Sequence, residues 1–209
     1  MSYSEHFKKF NRGVARRRWI FLKNGDQLIF PKRGEIWNPS VEDLAKCDAF
    51  IVFFVAELEF YFEEIIKDAL EDYKNGLLCC FLKNCKTFDD VIKNIKEKKS
   101  DVDKNHNANW TKISHLFEFV GLTKDAHFPE YFWDEIQTIT SHRGDLAHKS
   151  STLQIVVDRR ILMDLIVRTI KRVKDFDKEY CAWRSEIHLV MEFLSQKNSK
   201  FSPQFVEVE

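Results

Sequence analysis

The chain has 209 residues, 44% of them hydrophobic and 32% charged, which is enough for one domain with a core of its own. A formal net charge of +0 excludes bulk electrostatic attraction to nucleic acid, so any such affinity has to come from local patches. With only 6 Gly and 4 Pro against 19 Phe, a strand-and-turn architecture is excluded and an all-α chain is expected.

The N-terminal stretch combines no basic start, apolar run and small-residue cleavage site. The longest apolar run, residues 49–56, is far short of a membrane span and is followed by Glu57 and Glu59. A soluble cytoplasmic protein without membrane contact is the expectation. Cys79, Cys80 and Cys85 share an apolar patch but lack the paired spacing of a zinc ribbon, so they read as buried free thiols and no metal or other cofactor is expected.

Residues 3–22 carry Phe7, Phe10 and Val14 at helical spacing, with Arg12, Arg16, Arg17 and Arg18 among them, which predicts an amphipathic helix with a basic flank. Residues 23–39 hold Asn24-Gly25-Asp26, Pro31, Gly34 and Pro39, turn chemistry around two short β-prone pieces at 28–30 and 35–37, and read as a linker with room for a small hairpin. A long helix is predicted from Ser40, with Asp43 at the capping-box position, to a stop at Asn75-Gly76. Its middle, residues 50–62, is apolar on nearly every face, which marks a central helix. Glu57 and Glu59 inside that run either have partners or point through a gap to solvent, because an unpaired buried carboxylate is costly.

Residues 77–85 form a short apolar segment, Thr87 to Asp90 open a helix that ends in the charged run 93–99, and 100–109 read as loop. A short helix over 110–120 is closed by Gly121, and Pro129 opens a helix carrying Tyr131, Phe132, Ile136 and Ile139. That helix runs into Ser141-His142-Arg143-Gly144-Asp145-Leu146-Ala147-His148-Lys149, where Gly144 reads as the break in a long helical region. Beyond it, Leu162, Ile166, Thr169, Val173, Phe176, Tyr180, Trp183, Ile187, Val190 and Leu194 alternate spacings of four and three. This heptad seam predicts a long helix laid along the other helices or along a second subunit. The chain thus divides into an N-terminal extension (1–39), a helical domain (40–197) and a tail (198–209).

Arg143 and His148 are the candidate chemistry. A histidine takes a proton from a ribose 2′-OH or gives one to the leaving 5′-oxygen, and an arginine stabilises the crowded phosphorane with a planar fork of donors. Asp145, three residues before His148, is placed to orient its ring. Residues five apart on a regular helix point about 140° away from each other. Either Gly144 begins a non-helical turn that brings Arg143 back, or two copies of the motif meet across a dimer. An ordinary solvated helix face accounts for the same residues, since a lone Arg-x4-His pair is a weak signal.

The order of features resembles the HEPN superfamily of α-helical bundles, in particular its RiboL-PSP-like endoribonuclease branch. The apolar helix at 49–62, the helix from Phe128-Pro129-Glu130-Tyr131-Phe132 to Arg143-x4-His148, and the long final helix beginning near Asp158 carry the resemblance, over roughly residues 40 to 180. It implies an up-and-down bundle and a metal-independent RNase that acts as a homodimer with facing Arg-x4-6-His motifs. Arg143 then holds the phosphate, His148 is the acid or base, and Glu59, with Glu57 second, supports the motif. Active members usually carry a polar residue where this chain has Gly144, and Asp145 or His142 stands in for it. The kinship also implies a toxin or phage-defence role with an antitoxin or companion partner. Inactive members that bind RNA, a nucleotide or a partner protein are the alternative it leaves. Substrate RNA is expected to follow Arg16, Arg17 and Arg18, His142 and Lys149, and Arg168, Lys171 and Arg172, unless these are solvated faces.

Overall fold

The computed structural model describes residues 3–25, 27–30, 36–80, 86–103, 110–123, 127–128, 131–148 and 159–200, with 24, 27, 76–80, 86–89, 91, 103, 110, 112, 144–148, 194–195 and 197–200 described by their backbone alone. The protein is all-α. Among the described residues six helices carry the fold: α1 (Glu5–Leu22), α2 (Val41–Cys80), α3 (Lys86–Asp103), α4 (Trp110–Phe119), α5 (Phe132–His148) and α6 (Arg159–Lys200). A hairpin of two-residue strands, β1 (Lys23–Asn24) and β2 (Gln27–Leu28), follows α1. Gly25, at φ 63, makes its turn, the left-handed conformation that glycine adopts without a Cβ penalty.

Local chemistry sets most of the helix ends. Ser4 caps α1, its Oγ accepting the Phe7 N–H at 3.0 Å. At α2 the Asp43 N–H donates to Ser40 Oγ (3.1 Å) and the Ser40 N–H returns to the Asp43 carboxylate (3.2 Å), a reciprocal capping box. After α4 the Leu122 N–H reaches the Phe117 carbonyl (2.9 Å) and the Gly121 N–H that of Glu118 (3.0 Å). With Gly121 at φ 91, this is a Schellman stop.

Four expected boundaries move. α2 passes through Asn75-Gly76 to Cys80, because an interior glycine costs a helix only about 1 kcal/mol and Leu77 and Leu78 favour its continuation. α3 extends to Asp103, into the expected loop. It is anchored on α2 where Lys99 donates to Glu71, a carboxylate that also accepts from Lys74 of α2 itself at 2.9 Å. α5 starts at Phe132, and Pro129, where the start is expected, lies outside the described residues. Tyr131 precedes it at φ 59, and its carbonyl accepts the Glu135 N–H at 3.0 Å. Gly144 does not break α5, which is helical as far as His148.

Contacts fix the helix directions. Arg159 pairs with Asp48, Tyr61 with Asp177 and Arg184 with Asp72, so α6 runs parallel to α2. His6 meets Asp68 while Arg17 meets Glu57, so α1 is antiparallel to both. Phe132 packs on Phe176 (5.8 Å between centroids) and Glu135 on Arg172, so α5 also runs against α6. The core between them is aromatic: Phe128 stacks on Phe176 at 4.6 Å, and Phe62 meets Phe132 edge-on at 5.8 Å.

α1 shares this core, burying Phe7, Phe10, Val14 and Leu22. Its start is bonded to α6 through Asp177, which is fully buried. The Asp177 carboxyl accepts from the Ser4 N–H (2.8 Å), the Ser4 hydroxyl and the Tyr61 hydroxyl (3.0 Å). The α6 seam is buried at Leu162, Ile166, Thr169, Val173, Phe176 and Tyr180, and then emerges, with Val190 56% exposed. No helix among the described residues is long and apolar enough to cross a membrane.

Candidate functional site

Because the backbone of α5 stays helical through Gly144, positions 143 and 148 sit about 140° apart around its axis. A local turn that would bring both to one atom is therefore absent. Arg143 points at α2, its Nη1 donating to Glu59 Oε1 at 2.9 Å. The side chains are 27% and 16% exposed, so the pair is half-desolvated and worth more than a surface bridge. The side chains of Asp145 and His148, and all of Lys149, lie outside the described residues.

Glu57 and Glu59 are two positions apart and leave α2 on different sides, as helical geometry requires. Glu57 turns to α1, where Arg17 Nε lies 3.7 Å away. A Cβ on Gly13 would stand 2.6 Å from Glu57 Cδ, so a larger residue there would make the Glu57 carboxylate swing aside. Both glutamates thus have cationic neighbours, one on each flank of α2, and only Glu59 belongs with Arg143.

The basic residues divide in the same way. Arg17 lies 4.6 Å over the Phe53 ring as well as beside Glu57, while Arg16 and Arg18 are exposed. On α6, Arg172 (2.7 Å) and Arg168 (3.6 Å) share Glu135 of α5, and Lys171 is exposed. His142 is half-buried on α5. The site as described is therefore the α2–α5 edge, with the Arg143–Glu59 pair at its centre.

Sequence reading missed a second ionic assembly. His6 Nε2 lies 2.9 Å from Asp68, Arg184 bridges Asp68 (3.1 Å) and Asp72 (2.6 Å), and His188 lies 3.2 Å from Asp72. The signal was present as two pairs at helical i,i+4 spacing, Asp68/Asp72 and Arg184/His188. This assembly fastens α1 and α6 to α2, and burial beside Asp68 and Asp72 pushes the Tyr180 phenol well above its ordinary range. Among the described residues no group of His, Cys, Asp and Glu is placed to hold a metal ion. No protein-family model, no curated protein and no solved structure matches the chain.

Proposed function

We propose that the protein is a HEPN-type, metal-independent endoribonuclease whose Arg143 and His148 act together across a homodimer. In this reading Arg143 steadies the non-bridging phosphate oxygens. His148 removes the 2′-OH proton or protonates the 5′-oxygen. The 2′-oxygen attacks phosphorus, the P–O5′ bond breaks, and a 2′,3′-cyclic phosphate remains. The observation that carries the reading is the Arg143–Glu59 hydrogen bond at 2.9 Å. It holds the guanidinium at the α2–α5 edge through one N–H and leaves it further donors for an anion. A toxin or phage-defence role, an antitoxin partner and a cytoplasmic location belong to the same proposal.

The test is digestion of varied RNAs in EDTA by wild type and His148→Ala. Cyclic phosphate ends from the wild type alone support the proposal. A folded dimer that leaves all of them intact from about pH 6 to 8 refutes it. A second reading, a silent module that binds RNA, a nucleotide or a partner protein, is favoured by the charge compensation of Arg143 by Glu59. It predicts salt-dependent binding that survives His148→Ala and is lost in Arg143→Ala.

A further inference from the structure

Away from that edge, α1 and α6 wall an open groove of about 1030 Å³. The two helices are antiparallel and meet where Ser4 bonds Asp177. Counted on from that contact at equal rise, Asn11 comes level with Ile170 and Arg18 with Met163, and all four line the groove. From Asn11 to Leu22 it follows α1 for about three turns, or about 17 Å.

Polarity changes along its length. The floor is core, with Val14, Leu22, Phe50 and Ile166 exposed by 4% or less. At the Ile170 end Asn11 is the one polar side chain among the described residues that line it. At the opposite end three cations converge: Arg18 from the last turn of α1, Lys23 just after it, and Arg160 from the start of α6. Lys23 Nζ is steadied 3.7 Å over the Trp19 ring. Arg18 has no ion-pair partner among the described residues, unlike Arg17, which Glu57 holds. Asp164 is the one carboxylate among the described lining residues, so this end keeps a net positive charge.

We propose that the α1–α6 groove binds a long-chain carboxylate, its chain along the apolar floor toward Ile170 and its headgroup among Arg18, Lys23 and Arg160. The groove has the scale of small-molecule sites, roughly 300–1,000 Å³, which are apolar troughs with a few polar groups that fix orientation. A hydrocarbon chain asks nothing of a floor that offers no hydrogen bonds. A carboxylate needs charged donors, and one end alone supplies them. The charge gradient therefore sets which way round the ligand lies. This site is independent of the nuclease reading, because Arg143 lies at the α2–α5 edge and lines no part of the groove.

Calorimetric titration of the full chain with octanoate, decanoate and dodecanoate below their micelle concentrations tests it. One site per chain is expected, tighter by at least about twofold for each added CH₂, half the roughly fourfold of complete burial. Dodecyltrimethylammonium, with the opposite charge, is expected to bind at least about tenfold more weakly. Arg18→Glu, at an exposed position, should weaken dodecanoate about tenfold. Ala15→Phe, also exposed, puts a ring in the trough and should remove most of the binding, while Arg143→Ala leaves it unchanged. Circular dichroism confirms that each variant is folded, and Arg18→Glu decides alone if Ala15→Phe is not. No binding of dodecanoate, as when the groove takes a partner helix, overturns the proposal. So does an affinity indifferent to chain length, to headgroup charge or to the folded variants.

Discussion

Breaking the Arg143–Glu59 pair in a double-mutant cycle measures how firmly the site is held. Fully exposed pairs are worth about 0–1 kcal/mol, and removing one partner of a fully buried pair costs about 3–5 kcal/mol. At 27% and 16% exposure, with a 2.9 Å hydrogen bond, the pair falls between these limits. Glu59→Ala, Arg143→Ala and the double variant should give a coupling of about 1–2 kcal/mol in urea unfolding. The cycle cancels the packing lost with the arginine stem, which a single substitution does not. High salt should lower the coupling in part, because the pair is partly open to solvent. A coupling under about 0.3 kcal/mol would refute the idea that Glu59 positions Arg143 in solution.

Three further outcomes follow from the packing. Asp177→Ala strands the Tyr61 hydroxyl and the Ser4 donors, so a loss of about 3 kcal/mol is expected, or about 6–12 °C in Tm by calorimetry. A loss under about 1 kcal/mol counts against the role given to Asp177. Hydrogen bonds from Lys99 and Lys74 hold the Glu71 carboxyl below the ordinary glutamate value of 4.5. The unfolded chain therefore binds that proton more readily, and Glu71 contributes stability above pH 4.5 that is lost as pH falls through the lower folded value. Glu71→Gln should be slightly less stable at neutral pH, by under about 1 kcal/mol, and lose less on acidification; equal acid slopes in paired urea titrations would reject this. Burial beside Asp48 pushes the Cys47 thiol up to about 12. Mass-spectrometric mapping should find it unalkylated in the native protein and labelled after unfolding, and rapid native labelling contradicts that burial.

Most of the fold is legible where one local device decides an end. Ser40 with Asp43 opens α2 as its capping chemistry dictates, and the seam from Leu162 to Tyr180 is buried in register. Glycine is where local reading fails. Gly76 and Gly121 are each followed by leucine, yet only Gly121 takes the left-handed conformation that ends a helix. There Leu122 is fully buried, so the core supports the turn, and that support is not written in the adjacent residues. From the residues themselves Glu59 was one of two conspicuous glutamates, and only the resemblance ranked it ahead of Glu57. Their division between α5 and α1 depends on which helix lies on each flank of α2, information 84 residues away at Arg143.

The helicity of α5 sharpens the candidate site into one further prediction. Five residues advance about 7.5 Å along the axis and turn about 140°, whereas an arginine and an acid–base histidine must both reach one phosphate within about 3 Å. Arg143 is also held back toward α2 by Glu59. On the proposed reading, a productive site would therefore take Arg143 from one copy and His148 from the other. Arg143→Ala and His148→Ala should each be inactive alone. Unfolded and refolded together in equal amounts, they form mixed dimers in half of all pairings, each with one of its two composite sites intact. About a quarter of wild-type cleavage should return. If the mixture stays as inactive as its components while exchange is confirmed by mass, Arg143 and His148 do not meet across a dimer, and the silent binding module becomes the better account of this helix.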